Sequence, residues 1–391
     1  MLKKIKVTQL RKGMYINDIK CGWFDHPFTL NRFKLNNDTD IRKMIAAGVK
    51  EVDIDTAKGL DVVLEKSQTA APSVVCDIVK KSDGFLPKIT VQQEMSQAKI
   101  AVAEAGEFIT DMMANAKMGM RVELEQVNPV ISKMSASILR NENALLGLSR
   151  LRVMDKYTFE HSVSISILMM SFAKSLGFSK QIIHEVGIGG LLHDIGKTLT
   201  PNEILNKPGK LTEQEFMIMK KHVVDGSKIL QKTQGLSQIA FNVAAQHHER
   251  YDGSGYPLGL QGDQISLYGQ MAAVVDVYDA LTADRCYHKG KEPSEVLKLL
   301  LKWAGGHFKP ELVQKFIQTV GIYPPGSLVL LNNQHLATVT ELKHNMLKPE
   351  VEIFVNIEKR CYVPRKLIDL SERQDLKILS VESYAKWNIK L

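Results

Sequence analysis

From about residue 90 to 322 the apolar positions recur at helical spacing, and on either side of that stretch they alternate in short β-like runs. The pattern predicts a mainly α chain with a small α+β domain at its N-terminal end and a short β-rich tail at the other. Residues 1 to 66 hold the strand-like "IKVTQL", "MYINDIK" and "KEVDID" around a helical "NNDTDIRKMIAAGV". Residues 67 to 88, rich in Ser, Pro, Gly and mixed charge, read as a linker. Residues 89 to 150 place Met, Ala, Val and Leu at helical spacing, broken only by Pro129, and read as connecting helices. Such helices could pack within the chain, the favoured reading, or form the seam of a homodimer. Residues 151 to 322 read as a run of helices in one bundle. Thr212-Glu213-Gln214-Glu215 has the form of a capping box, and the helix it starts places Phe216, Met219, Val223, Ile229 and Leu230 on one face, expected to meet the core. After "YPPGS" the runs "LVLL", "ATVTEL" and "EVEIFVNI" mark residues 323 to 391 as a β-rich appendage.

A chain of 391 residues with 44% hydrophobic content allows two or three domains with ordinary cores. The net charge of +8 suits an anionic ligand and falls short of a basic tail for a nucleic acid polymer. Cys21, Cys76, Cys286 and Cys361 are scattered, with no CxxC pair, which fits a reducing cytoplasmic compartment. The basic start "MLKKIKVTQLRKGM" has no apolar run behind it, and "VSISILMMSFAKSLG" is too short to span a bilayer. A soluble cytoplasmic protein without a membrane partner is expected.

Candidate chemistry concentrates in the helical region. Five of the eleven histidines, His161, His193, His222, His247 and His248, fall there beside Asp194 and Asp276. A lone helical histidine is usually a packing or surface residue; this grouping changes the odds. "LLHDIGK" sets His193 and Asp194 side by side at the end of an apolar helix, where Gly196 breaks the turn. Neighbouring helical residues point about 100° apart, and a carboxylate bridges two cations more readily than an imidazole does, so Asp194 is the natural bridge. In "HHERYDGSGYP", Gly253 and Gly255 let the backbone curl so that His247 and His248 can converge on one ion, Fe or Mn by donor type. Asp276 and Asp279 interrupt the apolar "MAAVVDVYDALTADR" and need partners, either a salt bridge or, beside the histidines, a metal. Two divalent ions sharing an oxygen ligand would acidify a bridging water and clamp a phosphoryl oxygen, with Lys197 within reach of the phosphate. The residues point to phosphoester chemistry.

The segments "HSVSIS", "LLHDIGK", "NEILNKPGKLTEQEF", "KKHVVDG", "QHHERYDGSGYPLGL", "VVDVYDALTADR" and "GGHFKPELV", in this order from Tyr157 to Gly321, closely resemble the HD-GYP family of bacterial cyclic di-GMP phosphodiesterases, a branch of the HD metal hydrolases. The resemblance implies an HD-type helical bundle in which His161, His193, Asp194 and Asp276 hold one metal, and Asp194, His222, His247 and His248 a second. It implies phosphate contacts from Lys197 and Arg285, and a substrate groove shaped by Gly255, Tyr256 and Pro257. It further implies conversion of cyclic di-GMP to linear pGpG and onward to GMP by a hydroxide bridging the two metals; a diguanylate cyclase enters as a partner in the non-catalytic alternative, a receptor or adaptor. The first 66 residues resemble an uncharacterised domain often fused to this family, expected to regulate. Two departures stand out. Tyr157 occupies the position where some members place a third-metal Glu, so two metals are expected. "DRCYHK" puts His288 at the edge of the groove where a permanent cation is usual, with Lys289 beside it to compensate. His184 matches no ligand position, and His307 is expected to pack a turn. Alternatives are hydrolysis of mixed cyclic GMP-AMP, a receptor or adaptor without catalysis, and a generic HD phosphohydrolase, which the intact Gly-Tyr-Pro disfavours.

Overall fold

The computed structural model describes residues 2–7, 10, 12–19, 33–35, 41, 51–60, 89–150, 157–283, 290–343, 345–384 and 386–389. The chain forms two compact units, Met1–Ser73 and Val74–Leu391.

The first unit holds four strands, β1 (Leu2–Lys6), β2 (Tyr15–Ile19), β3 (Phe33–Lys34) and β4 (Glu51–Asp55). They pair antiparallel in the order β1-β4-β2-β3. Ile5, Met14, Ile16, Leu35, Val52 and Ile54 form its core, the buried half of the alternation visible in the sequence. Of the expected helix over "NNDTDIRKMIAAGV" only Ile41 lies within the described residues.

The second unit opens with two long helices, α1 (Val91–Lys117) and α2 (Leu124–Arg150). Thr90 caps α1 reciprocally with Gln93, a capping box. Glu94, fully buried, takes a bidentate pair from Arg140 at 2.6 and 2.7 Å, which ties the two helices together. Asn141 departs from helical geometry at φ −158° and ψ 104° and donates its amide to the Ile89 carbonyl. Within the unit these helices share one core with the rest of the bundle.

Next come α3 (Tyr157–Ser175), α4 (Lys180–Leu192), the short α5 (Asn202–Leu205), α6 (Glu213–Gln231), α7 (Gln238–Gln246), α8 (Leu267–Thr282), α9 (Pro293–Trp303) and α10 (Pro310–Val320). Every side chain of α3 from His161 to Ala173 is buried. A helix apolar all round belongs at the centre of its bundle, and α3 supplies one wall of the site from there. Helix α6 starts at the Thr212 capping box the sequence announces. It differs from expectation at Phe216, which is 44% exposed, as Met217 and Ile218 also are exposed, because the first turns of α6 project beyond the core that Val223 and Leu230 enter.

The chain ends in an antiparallel sheet of β5 (Leu328–Leu331), β6 (His335–Glu341), β7 (Glu350–Asn356), β8 (Cys361–Asp369) and β9 (Ile378–Glu382), ordered β8-β7-β6-β5-β9. Arg150 at the end of α2 donates to the Ser327 hydroxyl at 2.8 Å, and Asn143 accepts from the Leu342 amide at 3.1 Å, so polar contacts join sheet to bundle. Among the described residues no helix is long and apolar enough to cross a membrane.

Candidate active site

The ends of two helices and the interiors of three others deliver the histidines and aspartates to one place. His161 comes from α3, His193 caps the C-terminal end of α4 and Asp194 follows it, His222 comes from α6, His247 caps α7 with His248 next to it, and Asp276 comes from α8. All are buried except His248, whose side chain is 17% exposed. Their ligand atoms fall into triads within 4.8 Å: His161, His193 and Asp276; His222, His247 and His248; and His193, Asp194 and His247. Asp194 lies between the first two. Its Oδ2 is 3.2 Å from His193 Nε2 and 3.5 Å from His161 Nε2, while its Oδ1 is 3.3 Å from His222 Nε2 and 3.8 Å from His247 Nε2. Asp276 reaches His161 Nε2 at 3.3 Å with one oxygen and His248 Nδ1 at 3.6 Å with the other.

The helix backbone also fixes which nitrogen faces inward. Nδ1 of His193, His222 and His247 each lies 2.7 to 2.8 Å from the carbonyl three residues earlier, on Gly190, Met219 and Ala244. A carbonyl only accepts, so Nδ1 carries the proton and donates it, and in a neutral ring Nε2 is left as a lone pair. Burial pushes His222 down to about 4 and His247 down to about 3, so both rings are neutral near pH 7. Their two Nε2 atoms nevertheless face each other at 3.4 Å. Asp194 Oδ1, beside them, is buried with no hydrogen-bond partner among the described residues. Three electron-pair donors thus converge with no proton between them, an arrangement that a cation completes.

The other half of the cluster is held by charge. Burial works to lower the His161 pKa, but Asp194, Asp276 and Asp279 outweigh it and raise it to about 10. His161 is then an imidazolium that donates Nδ1–H to Asp279 at 2.6 Å and turns Nε2–H toward Asp194 and Asp276. A metal ion would take the place of that second proton. Burial opposes ionisation of Asp194, yet His193 and the Lys197 ammonium hold its carboxyl well below the usual range, and the hydrogen bond from His161 does the same for Asp276 against its burial. Lys197 Nζ donates to Asp194 Oδ2 at 2.5 Å. Burial lowers His248 as well, which keeps this ring neutral.

The Gly-Tyr-Pro turn closes one side. The Tyr256 amide donates to the His248 carbonyl at 3.1 Å, and its ring lies 4.7 Å from the His248 ring, tilted by 32°. Gly255 is required there because a Cβ would overlap the backbone of Glu249 and Arg250. Glu249, buried directly after the paired histidines, faces away from them and accepts from the amides of Leu258 at 2.8 Å and Leu260 at 3.0 Å, which anchors the chain leaving Pro257. Arg285 and His288 lie outside the described residues, as does Lys289. His184 hydrogen-bonds Asn128 at 3.1 Å and has no place in the triads; His307 stacks near Trp303 and lends its carbonyl to the Tyr251 amide.

Sequence reasoning gave Asp279 no distinct role. It touches the cluster through another residue, receiving His161 Nδ1–H on one oxygen and the Ser164 hydroxyl on the other at 2.5 Å. The signal was its spacing: three residues after Asp276, it lies one helical turn further along the same face of an apolar helix.

The HD domain family model matches residues 125–312, and the model of a domain of unknown function, DUF3391, matches residues 2–127. A cyclic di-GMP phosphodiesterase of Pseudomonas aeruginosa is 38% identical over 393 residues, covering all of this chain and 94% of that protein. A 3'3'-cGAMP-specific phosphodiesterase of Vibrio cholerae is 39% identical over 162 residues, 41% of this chain and 31% of that one. A cyclic di-GMP phosphodiesterase of Thermotoga maritima is 37% identical over 165 residues, 42% of this chain and 45% of that one. With full-length similarity to the Pseudomonas enzyme and the motif-bearing residues gathered at one site, the chain belongs to the HD-GYP family of HD-domain phosphodiesterases.

Proposed function

We propose that this chain hydrolyses cyclic di-GMP, opening the ring to linear pGpG by adding water across one phosphodiester and proceeding to GMP by a second hydrolysis. The observation that carries the reading is the convergence of His222 Nε2, His247 Nε2 and the unpartnered Asp194 Oδ1; the full-length Pseudomonas relative supports the substrate. His161, His193, Asp194 and Asp276 would hold one divalent ion, and Asp194, His222, His247 and His248 the other, iron or manganese by the mixed imidazole and carboxylate donors. Such ions supply Lewis-acid stabilisation of the charge that develops on a phosphodiester as it is cleaved. The chain's own part is positional. Three backbone carbonyls and Asp279 keep protons on Nδ1, so that Nε2 of four rings aims inward. Lys197, already against Asp194, offers a point charge to a phosphate oxygen.

The test is to incubate protein purified with its metal retained with cyclic di-GMP and, separately, with mixed cyclic GMP-AMP, and to resolve the products by chromatography. Linear pGpG from the first is expected. Product from cyclic GMP-AMP alone would transfer the activity to the mixed dinucleotide, and no product from either would leave a receptor.

Asp279 gives a second test. Asp279→Asn keeps the shape but offers His161 a weaker acceptor, and loss of such an outer carboxylate typically costs 10- to 100-fold in metal affinity. That drop is the expected result in competition with a chromophoric chelator. A change under about twofold would remove Asp279 from the set that orients the site.

A further inference from the structure

The outward face of α6 carries a feature that the metal cluster does not use. Lys220 Nζ lies 4.7 Å from the centre of the Phe216 ring and 5.3 Å from that of Tyr256, and the two rings meet edge to face at 6.4 Å. Lys220 is half-buried, yet among the described residues no carboxylate lies within ion-pair distance of it. Other lysines of the same helical region differ: Lys207 is paired with Glu215 at 2.6 Å and Lys174 with Glu142 at 3.0 Å. A half-buried ammonium backed by two ring faces is held in place by cation–π attraction, and its N–H donors are left for an acceptor from outside. The Tyr256 ring beneath it stacks in turn on His248, so one ring separates this ammonium from the cluster. Phe216, 44% exposed, presents aromatic surface to solvent at the same place.

We propose that Phe216 and Lys220 form a purine-recognition wall beside the metal cluster, with a base stacked on the Phe216 ring and the Lys220 ammonium donating to the O6 and N7 edge of guanine. The inference rests on the phosphodiesterase reading above and deepens it by naming residues that choose the base. Guanine presents two acceptors on that edge, whereas adenine presents one acceptor and an amino donor that would oppose an ammonium. Stacking on an aromatic ring is indifferent to which base it is. The two residues therefore have separable duties: Phe216 binds either purine, and Lys220 discriminates.

The experiment compares wild type, Phe216→Ala, Lys220→Met and Lys220→Arg on cyclic di-GMP, mixed cyclic GMP-AMP and cyclic di-AMP. KM is read where the dinucleotide turns over and Kd where it only binds, with thermal unfolding as the check that each variant is folded. Lys220→Met is expected to weaken cyclic di-GMP about tenfold and cyclic di-AMP little, narrowing the preference for guanine. Lys220→Arg, which keeps donors for the same edge, is expected to retain the preference. Phe216→Ala is expected to weaken all three about tenfold. A folded Lys220→Met that weakens all three equally, or none, would overturn the assignment while leaving the phosphodiesterase reading in place. Wild type that neither binds nor cleaves any of them would take down both.

Discussion

Asp194→Asn is expected to reduce turnover at least about a thousandfold, the loss that corresponds to several kcal/mol of charge stabilisation at 1.36 kcal/mol per decade. The reason is that both oxygens of this one carboxylate are engaged in different directions, Oδ1 toward His222 and His247 and Oδ2 toward His161, His193 and Lys197. An amide keeps one acceptor and turns an N–H donor to the other side. If the nitrogen faces His222, it fills with a proton the gap that three lone pairs leave; if it faces Lys197, two donors oppose each other. Neither orientation leaves a bridging anion. Metal content and heat stability report the loss independently of turnover. A ligand that binds only the folded chain stabilises it by about 2.7 kcal/mol at a hundred times its Kd. Added Mn2+ should therefore raise the unfolding midpoint of metal-stripped wild type and leave that of Asp194→Asn where it was. A variant that still gains stability from Mn2+ and keeps its turnover would show that the cluster does not need this carboxylate.

Much of this site could be read from the sequence because its donors are costly where they stand. Five imidazoles and two carboxylates within apolar helices need a common explanation, and a cation is the economical one. What the sequence hid has physical causes of two kinds. The first is direction. Periodicity puts Phe216 on the face of Val223 and Leu230, but it cannot say where the bundle stops, and two turns of α6 run past it. Likewise Glu249, adjacent to two histidines in the chain, belongs to the turn that follows and points its carboxylate at Leu258 and Leu260. The second is the edge of a sheet. Strands β5, β6 and β7 show up as apolar runs, whereas β8 contains Pro364, Arg365 and Lys366 and exposes most of its side chains. It is an edge strand, and edges carry proline and charge as protection against further pairing. That composition reads as a loop.

Gly196→Ala is expected to unseat the site without touching a donor atom. Gly196 lies in the short 3-10 turn Ile195–Leu199 that follows Asp194, and this turn packs on α6 so closely that a Cβ would overlap the carbonyl oxygen of His222 and the amide nitrogen of Gly226. Both are backbone atoms, so no side-chain rotation relieves the contact, and the turn and α6 must separate. Overpacking of this kind typically costs 1 to 3 kcal/mol, and a rigid backbone contact places the expected loss near about 3 kcal/mol. The functional effect follows from what each element carries: Asp194 caps the start of the turn, Lys197 lies within it, and His222 rides on α6. Parting them by about 1 Å is enough to lose roughly a hundredfold in turnover. Gly226→Ala, across the same contact, is the comparison. Its Cβ would lie 3.2 Å from the Gly196 nitrogen, a tight approach but no overlap, and alanine in a helix interior gains up to about 1 kcal/mol over glycine. The two effects should nearly cancel, leaving a midpoint and a turnover close to wild type. Equal damage from both substitutions would mean that the helix, not the turn, is the part that cannot yield, and little damage from either would mean that His222 is held by something other than this contact.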